Sequence, residues 1–556
     1  MSRFRMGLLL LLMGGFQMST GSTLMWAAAP SSARVSVAMR QAAGFYANQA
    51  AIQGGYHDVY AADLSASQSS KRAQGGLQIS VTGSATPSVG MAYLVAWDAT
   101  RDRFYLEAAR QAGRALLKGQ LCSGGWDYTI ELDPAKREPF GYRMDAGCQE
   151  PRNDTGPGKT NLDNNATQGA IRFLIRLDRE LAFADAAIHE GALFALNGLE
   201  KGQYPNGAWP QRFNRFPDEN QFPSKPGAFP DVWSREWPGP VYHAHYTIND
   251  ECTLNMIDVM LEAYRIYKDE RYLQSAIRGG EFLLQAQLPE PQPAWAQQYD
   301  RWMHPAWGRQ FEPPAVSGRE SLDVIRTLLL LARETAQKRF LEPIPRALAY
   351  FKRSYLDDPV SDRSAGPRIA RFYEMKTNRP LFLVKGTRLI VQNESWRLLD
   401  GYDLTYDDDH IVTHYTLKIG AQAIPQLERE YDRVKSAGST TMRRPDRLFS
   451  MTPWRFFSGR PPEPTDPVER VERILESMDA RGAWVQAGEL GQNPRVVSLT
   501  PGKTMTLTVG DQVITVAPEQ AIQVFEGTKP PIEEVLHSGT FNANLRLLSS
   551  YLKTAR

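Results

Sequence analysis

The chain has 556 residues, of which 42% are hydrophobic and 23% charged, an ordinary globular composition with enough length to bury a large core. Its 64 basic and 62 acidic residues nearly balance, leaving a formal net charge of +2 and no electrostatic basis for a nucleic-acid partner. With only Cys122, Cys148 and Cys252, the fold cannot depend on a disulfide framework, although one pair can form outside the cytoplasm.

The N-terminal residues predict an export signal. Arg3 and Arg5 precede the apolar run MGLLLLLMGGF, and the small residues of AAAP at 27–30 offer a cleavage point. The run is short for a transmembrane helix, so a membrane anchor is the less favoured interpretation. We therefore assign residues 1–29 to a signal peptide and residues 30–556 to one mature domain. We expect that domain to be secreted or periplasmic, with no membrane association after cleavage.

An internal repeat is the strongest pattern further along the chain. Segments that start at Tyr105, Phe183 and Arg271 each form a helical pattern that ends in Gln, a Gly/Pro turn and Trp. The glutamines lie 83 and 84 residues apart, and the tryptophans 83 and 86. Weaker copies start at Ala38 and Val468. The equivalent residues are Gln120, Gln203 and Gln287, and Trp126, Trp209 and Trp295.

A second helical pattern alternates with these segments. MAYLVAWDAT, AIRFLIRLDRE, LNMIDVMLEAYRIY and LDVIRTLLLLARET all carry apolar residues at i, i+3 and i+4. The repeating unit is thus a helix pair, which stacks into a solenoid or closes into an α/α toroid. We predict an all-α fold of the toroid type, with a small β-rich insertion at about 494–526, where apolar and polar residues alternate. The rim of a toroid, where loops converge, is the expected ligand site.

Acidic and amide residues recur where two of the inner helices begin. LDNNAT and INDECT lie 86 residues apart, which aligns Asn164 with Asp250 and Asp163 with Asn249. Repeats place equivalent positions side by side, so Asp163, Asp250 and Glu251 would point towards one cleft. Such oxygen ligands suit a hard cation such as calcium. The alternative is ordinary helix capping by Asp and Asn.

The recurring Gly–Trp turns also have two interpretations. Trp209 in YPNGAWPQ is either a stacking platform for a sugar or a buried plug beneath a glycine turn. Its recurrence in every repeat favours the structural role. Trp209 nevertheless stays among the candidate substrate-binding residues.

Several of these stretches resemble the family 10 polysaccharide lyases, which are pectate lyases with an α/α toroid. The matching segments are TNLDNNATQGAIRFL, YPNGAWPQ, YTINDECTLNMIDVM, WAQQYD, WGRQFEPPAVSGRES and RFYEMKTNRPLF, in the family order over about residues 120 to 385. The resemblance implies a lyase that cleaves polygalacturonate by calcium-assisted β-elimination between C4 and C5. The alternatives are a non-catalytic protein that binds acidic polysaccharide and a lyase for another uronan, such as alginate or glucuronan.

The resemblance implies roles for individual residues. Asp163 and Asp250 would bind calcium and the substrate carboxylate, with Glu251 in place of a second family aspartate. Arg309 of WGRQFEPP would be the catalytic base, and Arg371 of RFYE would bind a uronate. The alternative for Arg309 is a structural ion pair with Glu312 or Glu320.

Two departures from the family pattern stand out. The family arginine that follows NRPLF is replaced by Lys385 or Arg388, and lysine lacks the fork that binds a carboxylate through two nitrogens. Residues 212–246 form an insertion that would reshape a subsite or cover the cleft.

Asn164 is the remaining candidate substrate-binding residue. We expect a monomer whose partners are calcium and an acidic polysaccharide.

Overall fold

The computed structural model describes most of the chain. The described residues are 29–68, 77–146, 148, 157–238, 245–357, 366–392, 395–409, 411–412, 415–437, 467–490, 495–499, 504–509, 512–516, 522–526 and 532–555. Apart from Ala29, the predicted export signal lies outside them. Among the described helices, none combines the length and hydrophobicity needed to cross a bilayer.

Helices are the main regular elements of the described structure. They are α1 (Ser32–Phe45), α2 (Thr86–Thr100), α3 (Arg103–Leu117), α4 (Arg143–Ala146), α5 (Ala166–Glu180), α6 (Ala186–Lys201), α7 (Cys252–Tyr267), α8 (Glu270–Gln285), α9 (Gly318–Thr335), α10 (Ile344–Lys352), α11 (Ala423–Ser436), α12 (Pro467–Glu476) and α13 (Ser538–Thr554).

The predicted α/α toroid is confirmed by how these helices pack. Inner helices α2, α5, α7, α9 and α11 are neighbours in that order, and α3, α6, α8 and α10 pack outside them. The last helix, α13, packs against α1 and α2, so the two ends of the chain meet beside the first inner helix. Inner helices are buried nearly all round, as in α7, where every residue from 252 to 263 is buried.

The repeat tryptophans are structural plugs. Each is fully buried, and its indole N–H donates to a carbonyl in the last turn of its own outer helix. The pairs are Trp126 with Leu116 (2.8 Å), Trp209 with Leu199 (2.8 Å) and Trp295 with Leu283 (2.7 Å). The weak late copy has the same bond, from Trp484 to Ile474 (2.9 Å). Substrate stacking on Trp209 is therefore wrong, because its ring has no exposed face.

The repeat glutamines connect neighbouring helix pairs. The side-chain amide of each donates to a backbone carbonyl in the outer segment of the next repeat. The pairs are Gln120 with Gly191 (2.8 Å), Gln203 with Ser275 (3.0 Å) and Gln287 with Pro343 (3.0 Å). Buried amide–carbonyl bonds of this kind fix the spacing between repeats.

The strands are mostly short. They are β1 (Val59–Ala61), β2 (Ser67–Gln68), β3 (Gln78–Ser80), β4 (Thr129–Glu131), β5 (Thr160–Asn161), β6 (Arg212–Phe213), β7 (Tyr246–Thr247), β8 (Gln298–Tyr299), β9 (Val316–Ser317), β10 (Arg368–Ala370), β11 (Phe372–Tyr373), β12 (Pro380–Gln392), β13 (Ser395–Thr405), β14 (Lys418–Gly420), β15 (Val485–Glu489), β16 (Arg495–Leu499), β17 (Met505–Val509), β18 (Gln512–Val516), β19 (Ile522–Glu526) and β20 (Ile532–His537).

The predicted β insertion is present and joins a larger sheet. Strands β17 and β18 form a hairpin, and β16 and β19 belong to a sheet of order β16-β19-β13-β12-β11-β9. The long β12–β13 hairpin in this sheet was not predicted from the sequence. Because β9 and β11 flank the starts of α9 and of the RFYE segment, the sheet positions one side of the rim. Cys122 and Cys148 form a disulfide, and Cys252 is free and buried.

Candidate active site

Two matching turns lie where inner helices α5 and α7 begin. Residues 163–165 and 249–251 each form a single 3₁₀ turn. Each turn contains two successive left-handed residues, a strained conformation for side chains other than glycine. These residues are Asn164 (φ 51°) and Asn165 (φ 58°), and Asp250 (φ 49°) and Glu251 (φ 57°). The structure thus reproduces the predicted alignment of Asn164 with Asp250.

Helix capping does not account for these residues. Asn165 and Glu251 occupy the N-cap positions of α5 and α7, and neither caps its helix with a side-chain hydrogen bond. The left-handed backbone instead turns consecutive side chains in different directions. Strain retained at two equivalent turns on one rim is typical of a functional site.

The turns bring the carboxylates of Asp163 and Asp250 together. Asp163 is buried, accepts a hydrogen bond from the Tyr128 hydroxyl and is hydrogen-bonded to Asp250. Burial raises the pKa of Asp250 to about 8; Arg309 opposes this rise, and the negative charge of Asp163 adds to it. Two adjacent carboxylates of this kind share a proton or a cation, because both cannot be charged without compensation.

Arg309 reaches this pair from a loop before α9. Its Nη2 lies 2.7 Å from Asp250 Oδ2 and 2.5 Å from Glu312 Oε1, and its Nε donates to the same Glu312 oxygen at 2.9 Å. The ion pair with Glu312 proposed as the structural alternative is therefore present, together with a bond to Asp250. The Arg309 side chain stays 30% exposed, so it is accessible to solvent.

Glu312 links Arg309 to the rest of the site. Its fully buried carboxylate also accepts from Asn249 Nδ2 at 2.8 Å and from the Tyr415 hydroxyl at 2.9 Å. A buried charge is stable only with such partners. Tyr415 then lies 3.8 Å, measured to its ring centre, from the guanidinium of Arg371. One network therefore joins the two predicted arginines.

Arg371 is almost completely buried and pairs with Glu320. Its Nη2 lies 2.7 Å from Glu320 Oε1, so the second ion-pair partner proposed for Arg309 binds Arg371 instead. Burial acts to lower the pKa of Arg371, but Glu320 and Tyr415 outweigh it and raise that pKa. The guanidinium stays charged, and its Nε is buried without a hydrogen-bond partner among the described residues.

Sequence reasoning missed four residues of this network, which are Tyr415, Tyr128, Arg212 and Gln297. Arg212 Nη2 lies 3.0 Å from the Tyr128 hydroxyl, which in turn binds Asp163. Gln297 donates to Glu320 at 3.0 Å and to Tyr415 at 3.0 Å. Tyr128 and Gln297 both stand two residues after a repeat tryptophan. Their shared position in the repeat could therefore have indicated that both residues face the same rim.

The remaining predicted residues are spread more widely. Asn164 adjoins the carboxylate pair, and its Nδ2 is buried without a partner among the described residues. Glu251 lines a separate cavity of about 200 Å³ together with Asn255 and Asp323. Lys385 and Arg388 lie on β12, but their side chains fall outside the described part of the structure. The roles of these residues stay predictions.

The Asp163–Asp250 pair fits a calcium ion. Carboxylate oxygens are the donors that calcium prefers. Burial and the adjacent charge of Asp163 both disfavour the ionised form of Asp250, and a bound cation would offset both effects. The nearby hydroxyl of Tyr128 and amide of Asn164 are also hard-oxygen groups. Arg309 competes for Asp250, so calcium binding and the Arg309–Asp250 bond are linked.

Residues 141–393 match the model of the pectic acid lyase family. This match confirms the family resemblance seen in the sequence, and it contains Asp163, Asp250, Arg309 and Arg371. The segment that forms the site therefore resembles polysaccharide lyases that act on pectic acid. A search of curated proteins gives no match.

Solved structures show weaker likenesses. A mutant of the family 10 polysaccharide lyase from Cellvibrio cellulosa, solved in complex with trigalacturonic acid, is 18% identical over 63% of this chain and 98% of its own, with a TM-score of 0.40. A second structure of the family 10 polysaccharide lyase from Cellvibrio cellulosa is 18% identical over 63% of this chain and 97% of its own, with a TM-score of 0.39. A family 76 α-mannanase from Bacteroides thetaiotaomicron is 11% identical over 95% of this chain and 97% of its own, with a TM-score of 0.38. These scores are too low to establish a shared fold.

Proposed function

We propose that this protein is a pectate lyase that cleaves polygalacturonate by calcium-assisted β-elimination. The observation that carries the proposal is the contact of Arg309 with the Asp163–Asp250 carboxylate pair, within a segment that matches the pectic acid lyase family. An ion-binding carboxylate pair beside a partly exposed arginine supplies both groups that the elimination requires.

The reaction removes the proton on C5, which lies next to the substrate carboxylate. The electron pair of that C–H bond forms the C4–C5 double bond, the C4–O bond breaks, and the departing oxygen takes a proton from solvent. Negative charge develops on the substrate carboxylate during proton removal. When bound by Asp163 and Asp250, calcium would supply positive charge beside that carboxylate.

Arg309 is the proposed acceptor of the C5 proton. Arginine ordinarily stays protonated, and its bonds to Asp250 and Glu312 favour the charged form. To accept the C5 proton, Arg309 must first release a proton to solvent, which requires that Asp250 and Glu312 turn to other partners when substrate is bound. Arg371 would hold the carboxylate of a uronate, since it is fixed in a charged state by Glu320.

The first test measures elimination and then the role of Arg309. Protein incubated with polygalacturonate and calcium should produce the ultraviolet absorbance of a conjugated, unsaturated uronide, and a chelator should abolish it. Arg309→Lys should reduce kcat by roughly 10²- to 10⁴-fold with little change in KM, because lysine is shorter and aimed differently. The matched control is Arg353→Lys, the same change at an exposed ion pair with Glu290, which should leave kcat and KM unaltered.

Other outcomes would point elsewhere. A rise in KM with kcat retained would make Arg309 a carboxylate-binding residue, and lost stability with kcat retained would make it structural. Binding of polygalacturonate without elimination would support the non-catalytic alternative. Elimination only on alginate or glucuronan would move the substrate to another uronan.

We also propose that the protein acts outside the cytoplasm. The Cys122–Cys148 disulfide supports this location, since such bonds persist mainly in oxidising compartments. The predicted export signal at residues 1–29 agrees with it. Cell fractionation with detection of the mature N-terminus would test the location and the cleavage point.

A further inference from the structure

Residues 222–238, which we call the strap, belong to the predicted insertion and have no helix or strand of their own. The strap is nevertheless held to its neighbours. Gly227 N donates to Gln285 O at 2.7 Å, and Ala228 N donates to Met303 O at 3.1 Å. A side chain at Gly227 would approach the backbone of Ala286, so glycine allows this close contact.

The far end of the strap is joined to the loop that carries Arg309 by two reciprocal indole bonds. Trp237 Nε1 donates to Gly308 O at 2.8 Å, and Trp307 Nε1 donates to Ser234 O at 2.8 Å. Trp307 and Gly308 immediately precede Arg309 in the chain. The two bonds run in opposite directions between the same two segments, so neither segment can shift without breaking one of them.

The strap also reaches the segment that carries Arg371. Arg235 Nη1 lies 3.1 Å from Glu374 Oε1 and 2.7 Å from the Tyr406 hydroxyl. The same hydroxyl donates to Glu374 at 2.7 Å, which closes a three-residue network. Glu374 follows Arg371 by three residues. The strap therefore bridges the two segments that hold the predicted arginines.

We propose that Trp237 is a positioning residue, which acts through Gly308 to hold the Arg309 loop in register with Asp250. The loop has little regular structure, so its geometry depends on such tertiary bonds. Arg309 Nη2 lies 2.7 Å from Asp250, and displacements near 1 Å at a reacting group cost up to about 100-fold in rate. The catalytic part of this inference rests on the proposed function, whereas the effect on the loop does not.

The experiment compares Trp237→Phe with the wild-type protein. Phenylalanine keeps an aromatic ring but cannot donate to Gly308. Hydrogen–deuterium exchange should increase in the peptide that covers residues 304–312, with the melting temperature nearly unchanged. On polygalacturonate, kcat should fall roughly two- to tenfold, the range of one net hydrogen bond, while KM stays the same.

Two further variants sharpen the result. Trp307→Phe removes the reciprocal bond and should loosen the same peptide. Trp97→Phe is the matched control, because it also removes one indole bond, to Glu180 at 3.1 Å, but lies on α2, outside the strap and the Arg309 loop. It should leave exchange and kcat unchanged.

The outcomes separate this inference from the proposed function. Unchanged exchange at 304–312 in both indole variants would overturn the inference, as would an increase spread over the whole chain with a lower melting temperature. Looser loops with an unaltered kcat in an active enzyme would also overturn it. A loop-confined increase in a protein without lyase activity would support the positioning of the loop and reject only the proposed function.

Discussion

Asp250 takes part in opposing interactions within a single site. Its bond to Arg309 favours the carboxylate, whereas burial and the adjacent Asp163 favour the protonated acid. The balance leaves its pKa at about 8, far above the usual 3.8. In the absence of a cation, we therefore expect the Asp163–Asp250 pair to keep one proton across the neutral range. A divalent cation would replace that proton, so calcium affinity should increase with pH.

The stability of the protein should depend on the proton that this pair holds. The native state binds it more tightly than the unfolded chain, so this contribution is complete below pH 3.8 and is lost as the pH rises through about 8. In the presence of a chelator, Asp250→Asn should remove this pH-dependent loss of stability. The variant's free energy of unfolding, relative to wild type, should increase between pH 3.8 and about pH 8. Urea unfolding at several pH values measures this difference, and parallel pH curves would contradict it.

The bonds that join the repeated helices explain why these helices could be predicted from the sequence. Each repeat carries Gln and Trp at fixed spacing because the indole must reach its own outer helix and the amide must reach the next one. Trp209 and Gln203 illustrate both constraints. Bonds within a repeat and between neighbouring repeats require similar residues at regular intervals in the chain. From this periodicity the helix pairs and the pairing of Asn164 with Asp250 could be predicted.

The rest of the site depends on contacts between distant segments of the chain, and these contacts do not recur from one repeat to the next. Tyr415 meets Glu312 across 103 residues, and Arg235 meets Glu374 across 139. The long β12–β13 hairpin was missed for a different reason, because its strands pair locally and the helix repeat gives no signal for it. The family resemblance supplied Arg309 and Arg371, but only the structure shows that Glu320 pairs with Arg371.

Trp209→Phe tests the structural role of the repeat tryptophan. The variant loses the bond to the Leu199 carbonyl, and we expect it to lower the free energy of unfolding by about 1–3 kcal/mol. Its KM for polygalacturonate should not change, since the ring has no exposed face. Trp126→Phe, in the preceding repeat, should behave alike. A raised KM at unchanged stability would restore Trp209 as a sugar platform.

In the molecule as a whole, the two ends of the chain pack together beside the first inner helix. Phe541 on α13 stacks on Tyr46, with ring centres 3.9 Å apart, and meets Tyr93 of α2 edge-on at 5.8 Å. Strand β20 pairs with β1, and Asn542 donates to Ser84 O at 2.7 Å. The first inner helix is thereby covered on both sides.

Phe541→Ala distinguishes a closed ring from an open row of repeats. Loss of this buried ring should cost about 3–5 kcal/mol, whereas Phe216→Ala, at a ring that is 45% exposed, should cost about 0.5 kcal/mol or less. In a closed ring each helix pair is supported from both sides, so the loss should spread beyond the ends. Hydrogen exchange should therefore increase in α7, at residues 252–263, as well as in α1, α2 and α13. An increase confined to those three helices would show that the repeats respond as nearest neighbours and that closure does not stabilise the far side of the molecule.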